Sequence, residues 1–238
     1  MQQMNTFWSS QRLLVVMPHA DDEAYGCAGT IAKVKAAGGR AYVIVASTGA
    51  LEHYTERESM VHGDTRLAEL DASMARLGVD GYEVLYTDSH SHLRLDAIPQ
   101  RDLIAKLERD AVYAIDKVQP TALILPAPSY NQDHVAVFTA GFAACRPHIR
   151  TCKPFIDLVL TCDAPQLGWR DEPFRPNFYV DISETLTAKL DALACHTSQL
   201  RPFPDLGSLE AVEHLCRMRG AEVGVDAAEA FECQRAVL

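Results

Sequence analysis

The chain lacks an excess of positive charge and any long hydrophobic run. Its 22 Lys and Arg residues are outnumbered by 32 Asp and Glu residues, and the formal net charge is −10. Nucleic acids and anionic membranes are bound by clustered positive charge, so we expect neither as a partner. Residues 1–12 contain no cationic stretch ahead of an apolar core, and the apolar run that follows is too short to span a bilayer. We therefore expect a cytoplasmic protein.

Cysteine pairs of the kind that bind zinc or form an ordered disulfide framework are also missing. The seven cysteines are scattered along the chain and form no Cys-x-x-Cys pair. In a reducing compartment such residues are usually buried free thiols, which we expect here. No internal repeat, low-complexity tract or linker interrupts the sequence, so residues 1–238 are predicted to form a single domain.

What the sequence does contain is a regular alternation of apolar strands and amphipathic helices. Apolar runs typical of strands cover residues 13–17, 40–47, 82–86, 121–125, 155–161 and 178–182. Helices are predicted over residues 24–37, 62–77, 99–118, 134–145, 183–199 and 207–222. Pro99 suits a helical first turn, and Ser183 is a predicted N-cap. This alternation indicates an α/β fold with a doubly wound, mostly parallel, Rossmann-like sheet and helices on both faces.

Charged side chains crowd the point where the first strand ends. His19, Asp21, Asp22 and Glu23 follow the apolar run directly. In an open α/β sheet, ligands bind in the crevice beyond the carboxyl ends of the strands. The carboxylates would repel one another there unless a cation or protons intervened. We favour a divalent metal held by His19 and one aspartate, with the other aspartate free for proton transfer. The structural alternative is a helix cap with acidic first-turn residues.

A second imidazole and carboxylate follow the fourth strand. Asp133 and His134 directly precede or begin a predicted helix, and doubly wound topology sets the first and fourth strands side by side. His134 could then meet His19 and an aspartate around one ion, which is the His/His/carboxylate pattern of catalytic zinc sites. Taken alone, this loop is interpreted more simply, with Asp133 as an N-cap and His134 as a solvated residue.

Taken together, the two motifs resemble the LmbE-like, or PIG-L-type, zinc deacetylases. Pro18–Glu23, followed by Gly-Cys-Ala-Gly-Thr at 26–30, is similar to the family's Pro-His-Pro-Asp-Asp-Glu signature. Ala20 stands where the family usually carries proline. Asn131–His134 is similar to the family's third-ligand loop. The resemblance extends over nearly the whole chain and implies an LmbE-like fold.

The resemblance also implies a metal-dependent amide hydrolase. The implied zinc ligands are His19, Asp22 and His134, and the implied general base is Asp21. Zinc lowers the pKa of a bound water to about 7, so a carboxylate can activate that water for attack on an acetamide carbonyl. The expected substrate is an N-acetylated amino-sugar conjugate of the N-acetylglucosaminyl type. Fe2+ or another divalent ion could replace zinc, because His/carboxylate sites accept several metals.

The group that protonates the leaving amine is left open by one departure from the family. Many members carry a histidine where this chain has Asn131. An amide can donate a hydrogen bond to an oxyanion but cannot supply a proton. The acid is then protonated Asp21 or another histidine. His196, in a segment similar to the family's late helix, is the candidate; otherwise it is a packed or surface residue.

Further residues are expected to contact the substrate. Arg66 and Asp88 occupy positions where family members contact the sugar or its aglycone, and His92 follows in the same loop as Asp88. The alternatives are a surface ion pair for Arg66 and a turn role for Asp88. Trp169 and Phe174 lie in a long loop that could form the rim of the site.

Other functions fit the sequence less well. The same chemistry could cleave a different amide, such as a thiol conjugate. A Rossmann-type nucleotide-binding or redox domain would cradle a phosphate with Gly26 and Gly29. The full Gly-x-Gly-x-x-Gly motif is absent, however, and Asp21 and Asp22 would repel a pyrophosphate. A catalytically silent relative would be expected to lack the ligand set. Whether the protein forms a homo-oligomer is left open.

Overall fold

The protein is built around a mixed sheet in the computed structural model, which describes residues 2–52, 60–88, 90–165, 167 and 172–237. The strands are β1 (Arg12–His19), β2 (Arg40–Ser47), β3 (Leu51–Glu52), β4 (Met60–Val61), β5 (Gly81–Tyr86), β6 (Ala122–Pro126), β7 (Leu158–Cys162), β8 (Phe178–Asp181) and β9 (Ala228–Ala236). β3 and β4 form a small antiparallel ribbon, and the others form the main sheet.

The helices are α1 (Gln2–Ser9), α2 (Asp22–Ala36), α3 (Gly63–Leu77), α4 (Gln100–Ala105), α5 (Ile115–Val118), α6 (Gln132–Ala144), α7 (Leu186–Ala194) and α8 (Leu209–Val223). A 3-10 turn covers Leu95–Ala97, and a π-helical turn at Lys106–Asp110 continues α4. Within the described part of the chain, no helix is both long and apolar enough to cross a bilayer.

The order of strands in the main sheet is β5-β2-β1-β6-β7-β9-β8. β5, β2, β1, β6 and β7 pair in parallel, whereas β9 is antiparallel to both β7 and β8. This confirms the predicted mostly parallel, doubly wound sheet. β1 and β6 are neighbours, as predicted for the first and fourth strands, so the loops after them open on the same edge.

β1 is apolar from Leu13 to Met17 because both of its faces are covered there. Leu13 and Val15 pack in one buried cluster with residues of α2, α3 and α7. Leu14 and Val16 point to the opposite face and pack with residues of α4, α5 and α6. A continuous apolar run is the expected sequence of a strand buried on both sides. The predicted placement of helices on both faces is therefore confirmed.

The helix predicted over residues 99–118 is interrupted at residues 111–114, between the turn that continues α4 and α5. The backbone turns out of the helix at Ala111, whose ψ is 156°. The amides of Val112 and Tyr113 donate instead to the two carboxylate oxygens of Glu83, at 3.0 and 2.6 Å. Val112, in this interruption, is 64% exposed. A carboxylate from the edge strand β5 thus replaces the helical acceptors at this point.

Other elements also differ from the predictions. Ser183 does not cap α7, because its hydroxyl donates to Asp181 at 2.6 Å and accepts from the amide of Ala227. α7 begins later, at Leu186. Neither α1 nor β9 is predicted by the hydrophobic pattern. The β9 sequence contains no Val, Ile or Thr, so it carries little intrinsic signal for a strand.

The cysteines are free, as predicted. Most are buried or half-buried, and Cys152 is exposed.

Candidate metal centre

Three buried side chains converge beyond the carboxyl ends of β1 and β6. His19 is the last residue of β1, Asp22 is the first of α2, and His134 lies in the first turn of α6. Nδ1 of His19 is 3.3 Å from Asp22 Oδ2, and Nε2 of His134 is 3.4 Å from Asp22 Oδ1. One donor atom from each residue lies within 4.8 Å of the others.

The spacing and the chemistry of these donors fit a metal ion. Two ligands that each lie about 2.0–2.1 Å from a tetrahedral zinc ion are about 3.3 Å apart. Two imidazoles and one carboxylate are also the donor types of catalytic zinc sites, which leave a fourth position open for water or substrate. The structure therefore brings the three predicted ligands together in an arrangement that can hold one divalent cation.

His19 is oriented by a carboxylate that the sequence analysis assigned only to capping. Nε2 of His19 is 2.9 Å from Oδ2 of Asp133, which is fully buried. The other oxygen of Asp133 accepts from the amide of Leu95 at 2.9 Å. A proton on Nε2, shared with Asp133, leaves Nδ1 of His19 as a lone-pair donor towards the cluster. The cap of α6 is Asn131, whose Oδ1 accepts from the amide of Asp133 at 2.9 Å.

The protonation of the cluster is set by burial and by its mutual contacts. Burial lowers the pKa of His19, but hydrogen bonds to Asp133 and Asp22 outweigh it and raise the pKa to about 9. Burial raises the pKa of Asp22, but the charge of His134 and hydrogen bonds from both histidines hold that pKa well below its usual range. Protons and a metal ion would therefore compete for the same donors.

Asp21 has an unusual backbone conformation beside the cluster, with φ 136° and ψ −30°. For a residue with a Cβ such a conformation costs about 1–3 kcal/mol and persists only where neighbours enforce it. Here the amide of Asp21 donates to Oε2 of Glu23 at 3.0 Å. Burial and the charge of Asp22 raise the pKa of Asp21 to about 7. A carboxyl group with that pKa can both accept and return a proton near neutrality.

His196 lies next to Glu23. Its Nε2 is 2.9 Å from Oε1 of Glu23, and its side chain is almost fully buried. Burial lowers the pKa of His196, but the charge of Glu23 outweighs this and raises the pKa above its ordinary value. The geometry makes His196 a partner of Glu23, which in turn holds the backbone of Asp21.

A cavity of about 210 Å3 opens onto the cluster. It is lined by the three donors and by Asp21, Tyr25, Arg66, Asn131 and Gln199, with Leu51, Leu93, Ser129 and Tyr130 completing the wall. Among the residues that the structure describes, the lining does not include His196, His92 or Asp88.

Arg66 is a buried cation at this cavity, not a surface ion-pair residue. It is 3% exposed, and its guanidinium donates to the carbonyl of Ala20 at 3.2 Å and contacts Nε2 of His92 at 3.0 Å. Burial and the charge of Arg66 lower the pKa of His92 to about 4. His92 is therefore neutral at pH 7 and can accept from Arg66, while its Nδ1 lies 3.2 Å from the hydroxyl of Ser47.

Other predicted contact residues lie elsewhere. Asp88 is exposed, and its carboxylate accepts from the amides of His90 and Ser91 at 3.0 and 2.9 Å, which closes a turn. Trp169 lies outside the described residues. The ring of Phe174 lies near the guanidinium of Arg219.

The two glycines considered for phosphate binding have a packing role. A Cβ on Gly26 would lie 2.5 Å from the sulfur of Cys162 on β7. A Cβ on Gly29 would lie 2.9 Å from Ile182 and 3.1 Å from a carboxylate oxygen of Glu229. These glycines allow α2 to approach β7 and the end of β8 closely, and the neighbouring carboxylate of Glu229 would repel a phosphate.

The fold and the site define an α/β protein with a buried His/Asp/His cluster that can hold a metal ion at the carboxyl ends of its parallel strands. Residues 14–145 match the family model described as PIG-L, GlcNAc-PI de-N-acetylase. The chain belongs to this family.

One curated relative is the 1D-myo-inositol 2-acetamido-2-deoxy-alpha-D-glucopyranoside deacetylase of Nocardioides sp. (strain ATCC BAA-499 / JS614). It is 32% identical over 192 residues, which cover 67% of this chain and 61% of the relative. The matched part of this chain thus spans about three-fifths of the length of the first curated relatives.

Solved structures share the fold over nearly the whole chain. A conserved protein from Thermus thermophilus superimposes with a TM-score of 0.74, at 26% identity over 96% of both chains. GalB, the 4-carboxy-2-hydroxymuconate hydratase from Pseudomonas putida KT2440, has a TM-score of 0.73 at 18% identity, with 95% of this chain and 97% of that chain covered. Because one neighbour is a hydratase, the fold alone does not determine the reaction, which has to be inferred from the site.

Proposed function

We propose that the protein is a zinc-dependent amide hydrolase that removes acetate from an N-acetylated amino-sugar conjugate of the N-acetylglucosaminyl type. One observation carries this proposal: the donors of His19, Asp22 and His134 meet at one point, beside the carboxylate of Asp21, on the wall of an open cavity. Membership of a family described as a GlcNAc-PI de-N-acetylase supports it, as does the curated relative that acts on an acetamido-glucopyranoside.

In this proposal His19, Asp22 and His134 would hold the zinc ion, which would supply a water of lowered pKa and a positive charge that polarises the acetamide. Asp21 accepts a proton from the attacking water. The same carboxyl can return that proton to the departing amine. With His196 away from the cavity wall, Asp21 is the better candidate for both proton transfers.

Asn131 can take part in the proposed hydrolysis through its side-chain amide. Its Oδ1 is occupied by the amide of Asp133, and this leaves its NH2 group as the end that can donate. Asn131 lines the cavity beside His134. We assign it as a hydrogen-bond donor to the oxyanion that forms when water adds to the acetamide.

The size and polarity of the cavity agree with a sugar substrate. At about 210 Å3 it is smaller than the sites of about 300–1,000 Å3 that enclose drug-sized ligands, so it would accept one sugar residue with the aglycone outside. Arg66 presents a buried cation to this space and is held by His92 and the carbonyl of Ala20. We assign Arg66 to sugar binding and His92 to the support of Arg66.

A small neutral conjugate as the substrate also agrees with the net charge of −10, which disfavours nucleic acid and anionic membranes as partners. Free thiols support a reducing, cytoplasmic location.

The experiment that tests the function is an acetate-release assay with metal-stripped protein, before and after addition of one equivalent of zinc. The substrates are N-acetylglucosaminyl compounds with and without an inositol aglycone, and free amine is measured in parallel. Zinc-dependent release of acetate and amine in equal amounts supports the proposal. Amine release from other amides, without acetate, would point to the alternative amidase. No hydrolysis of any amide by zinc-loaded protein would overturn the proposal.

A further inference from the structure

Helix α2, which begins at the metal ligand Asp22, is interrupted after little more than one turn. Cys27 has φ −150° and ψ 17°, outside the helical region. Such a break leaves the carbonyls of the turn before it, and the amides of the turn after it, without their regular partners. The segment is buried on all sides, and buried backbone groups left without partners are strongly destabilising.

A buried ion pair from two distant elements fills this break. Nζ of Lys189, on α7, donates to the carbonyls of Ala24 and Tyr25 at 3.1 and 2.7 Å. The carboxylate of Glu229, on β9, accepts from the amides of Gly29 and Thr30 at 2.9 and 2.7 Å. Lys189 and Glu229 also contact each other at 2.7 Å.

The charges of the pair match the two helix ends that meet at the break. Lys189 places a cation at the carboxyl end of the first turn, and Glu229 places an anion at the amino end of the following helix. Each sign is the one that the local helix dipole favours. Lys189 is 1% exposed and Glu229 is 3% exposed. Burial of an isolated ion pair is usually unfavourable, so this pair is best explained by the backbone groups that it satisfies.

The first turn of α2 is the part of the helix that serves the metal centre. It carries Asp22 at its start and Tyr25 on the cavity wall, directly after Asp21. Because the break disconnects this turn from the rest of α2, its orientation depends on contacts at its two ends. β1 and His19 fix the amino end, where the amide of His19 donates to Asp22 at 3.0 Å. Lys189 fixes the carboxyl end.

We infer that Lys189 and Glu229 are positioning residues that cap both sides of the break in α2 and so fix the turn bearing Asp22 at the metal centre. The inference rests on the proposed metal centre and adds two residues, far apart in sequence, that touch neither metal nor substrate.

A purely structural role would produce a different pattern of effects. If the pair only stabilised the fold, its loss would lower the melting temperature as the loss of any other buried pair does, without a particular effect on metal binding. Lys153 and Glu108 provide the matched control. They form an ion pair whose side chains are 11% and 10% exposed, and Lys153 also donates to a backbone carbonyl. Lys153 lines a hollow with Arg12 and Thr121, at the opposite end of the strands from the metal centre.

The test compares zinc affinity, measured by chelator competition, in Lys189→Met, the double variant Lys189→Met/Glu229→Gln, and Lys153→Met. We expect Lys189→Met to weaken zinc binding at least tenfold. The double variant no longer buries an unpaired carboxylate, so its melting temperature recovers towards wild type, but its zinc affinity stays low because Ala24 and Tyr25 still lack their donor. Lys153→Met lowers the melting temperature and keeps wild-type zinc affinity. If Lys189→Met does not fold, the zinc affinity of the double variant, compared with that of Lys153→Met, tests the inference.

Hydrogen exchange of the Gly29 and Thr30 amides in the metal-free protein gives a second readout, which we expect to accelerate in the double variant but not in Lys153→Met. Zinc affinity within twofold of wild type in the folded double variant, or unchanged exchange at both amides, would overturn the inference. Zinc binding without acetate release by the wild-type protein would refute the proposed function and leave this inference standing.

Discussion

His19 and Asp133 are joined by a buried hydrogen bond of 2.9 Å between Nε2 and Oδ2. This contact determines which ring nitrogen of His19 faces Asp22 and His134. Mutation of a carboxylate that orients a metal-binding histidine in this way typically lowers metal affinity 10- to 100-fold. Asp133 therefore belongs to the candidate metal centre, although its carboxylate would not contact the ion.

Asp133→Asn should accordingly weaken zinc binding by about 10- to 100-fold. The asparagine can still accept from the amide of Leu95, but its NH2 group would face the N–H of His19 and favour the wrong tautomer. Chelator competition at fixed pH measures the effect, with Glu108→Gln as a carboxylate-to-amide control remote from the site. Wild-type affinity in the folded Asp133→Asn protein would show that the hydrogen bond does not act on the metal.

Asp21→Asn should retain zinc and lose turnover by about 100-fold or more, because the amide can neither accept nor return a proton. Asparagine tolerates positive φ better than most residues, so the substitution changes the chemistry more than the backbone. Metal content and kcat are measured on the same sample. A variant that holds one zinc and turns over at nearly the wild-type rate would remove Asp21 from the mechanism.

Asn131 combines a cap with a proposed donor, and two substitutions separate these roles. Asn131→Ser keeps a capping oxygen for the amide of Asp133 but loses the NH2 group, so we expect a wild-type melting temperature and a roughly tenfold to few-hundredfold lower kcat. Asn131→Ala should also lose about 1 kcal/mol of stability. An unchanged kcat in Asn131→Ser would leave Asn131 with the cap alone.

The ion pair of Glu108 and Lys153 should make the free energy of unfolding depend on pH. Burial raises the pKa of Glu108, but a hydrogen bond and the charge of Lys153, aided by Arg146, outweigh this and hold the pKa below its usual value. A carboxyl group with a lower pKa in the folded state stabilises the protein above its unfolded pKa, and this stabilisation is lost as pH falls through the folded pKa.

Glu108→Gln should therefore be less stable than wild type by about 1–3 kcal/mol at pH 7, and the difference should shrink as pH is lowered towards 3. Thermal unfolding of both proteins across this range measures it. A difference that is the same at pH 3 and pH 7 would contradict the assignment of the ion pair.

The convergence of His19, Asp22 and His134 could be predicted because each lies in a short motif at the end of an apolar strand. The neighbourhood of β1 and β6 follows from the rule for doubly wound sheets, and this rule brings His134 to His19 and Asp22. The proximity of these residues follows from the order of the strands and does not depend on where their side chains point.

The supporting residues depend on directions and long-range contacts that a single sequence does not encode. Asp133 turns towards His19, and His196 turns towards Glu23. Glu229 reaches the break in α2 from β9, a strand whose composition predicts no strand at all. The helix predicted over 99–118 is interrupted for the same reason. An amide of that segment donates to Glu83, which lies on the distant strand β5.

The most direct test of the account is a reconstitution titration of metal-free protein with zinc, in which bound metal and the rate of acetate release from an N-acetylglucosaminyl conjugate are measured together. We expect activity to rise in proportion to zinc and to saturate at one ion per chain. We also expect that Asp22→Ala and His134→Ala neither bind this ion tightly nor release acetate. Full activity of the metal-free protein, or tight binding of one zinc by both variants, would contradict the account.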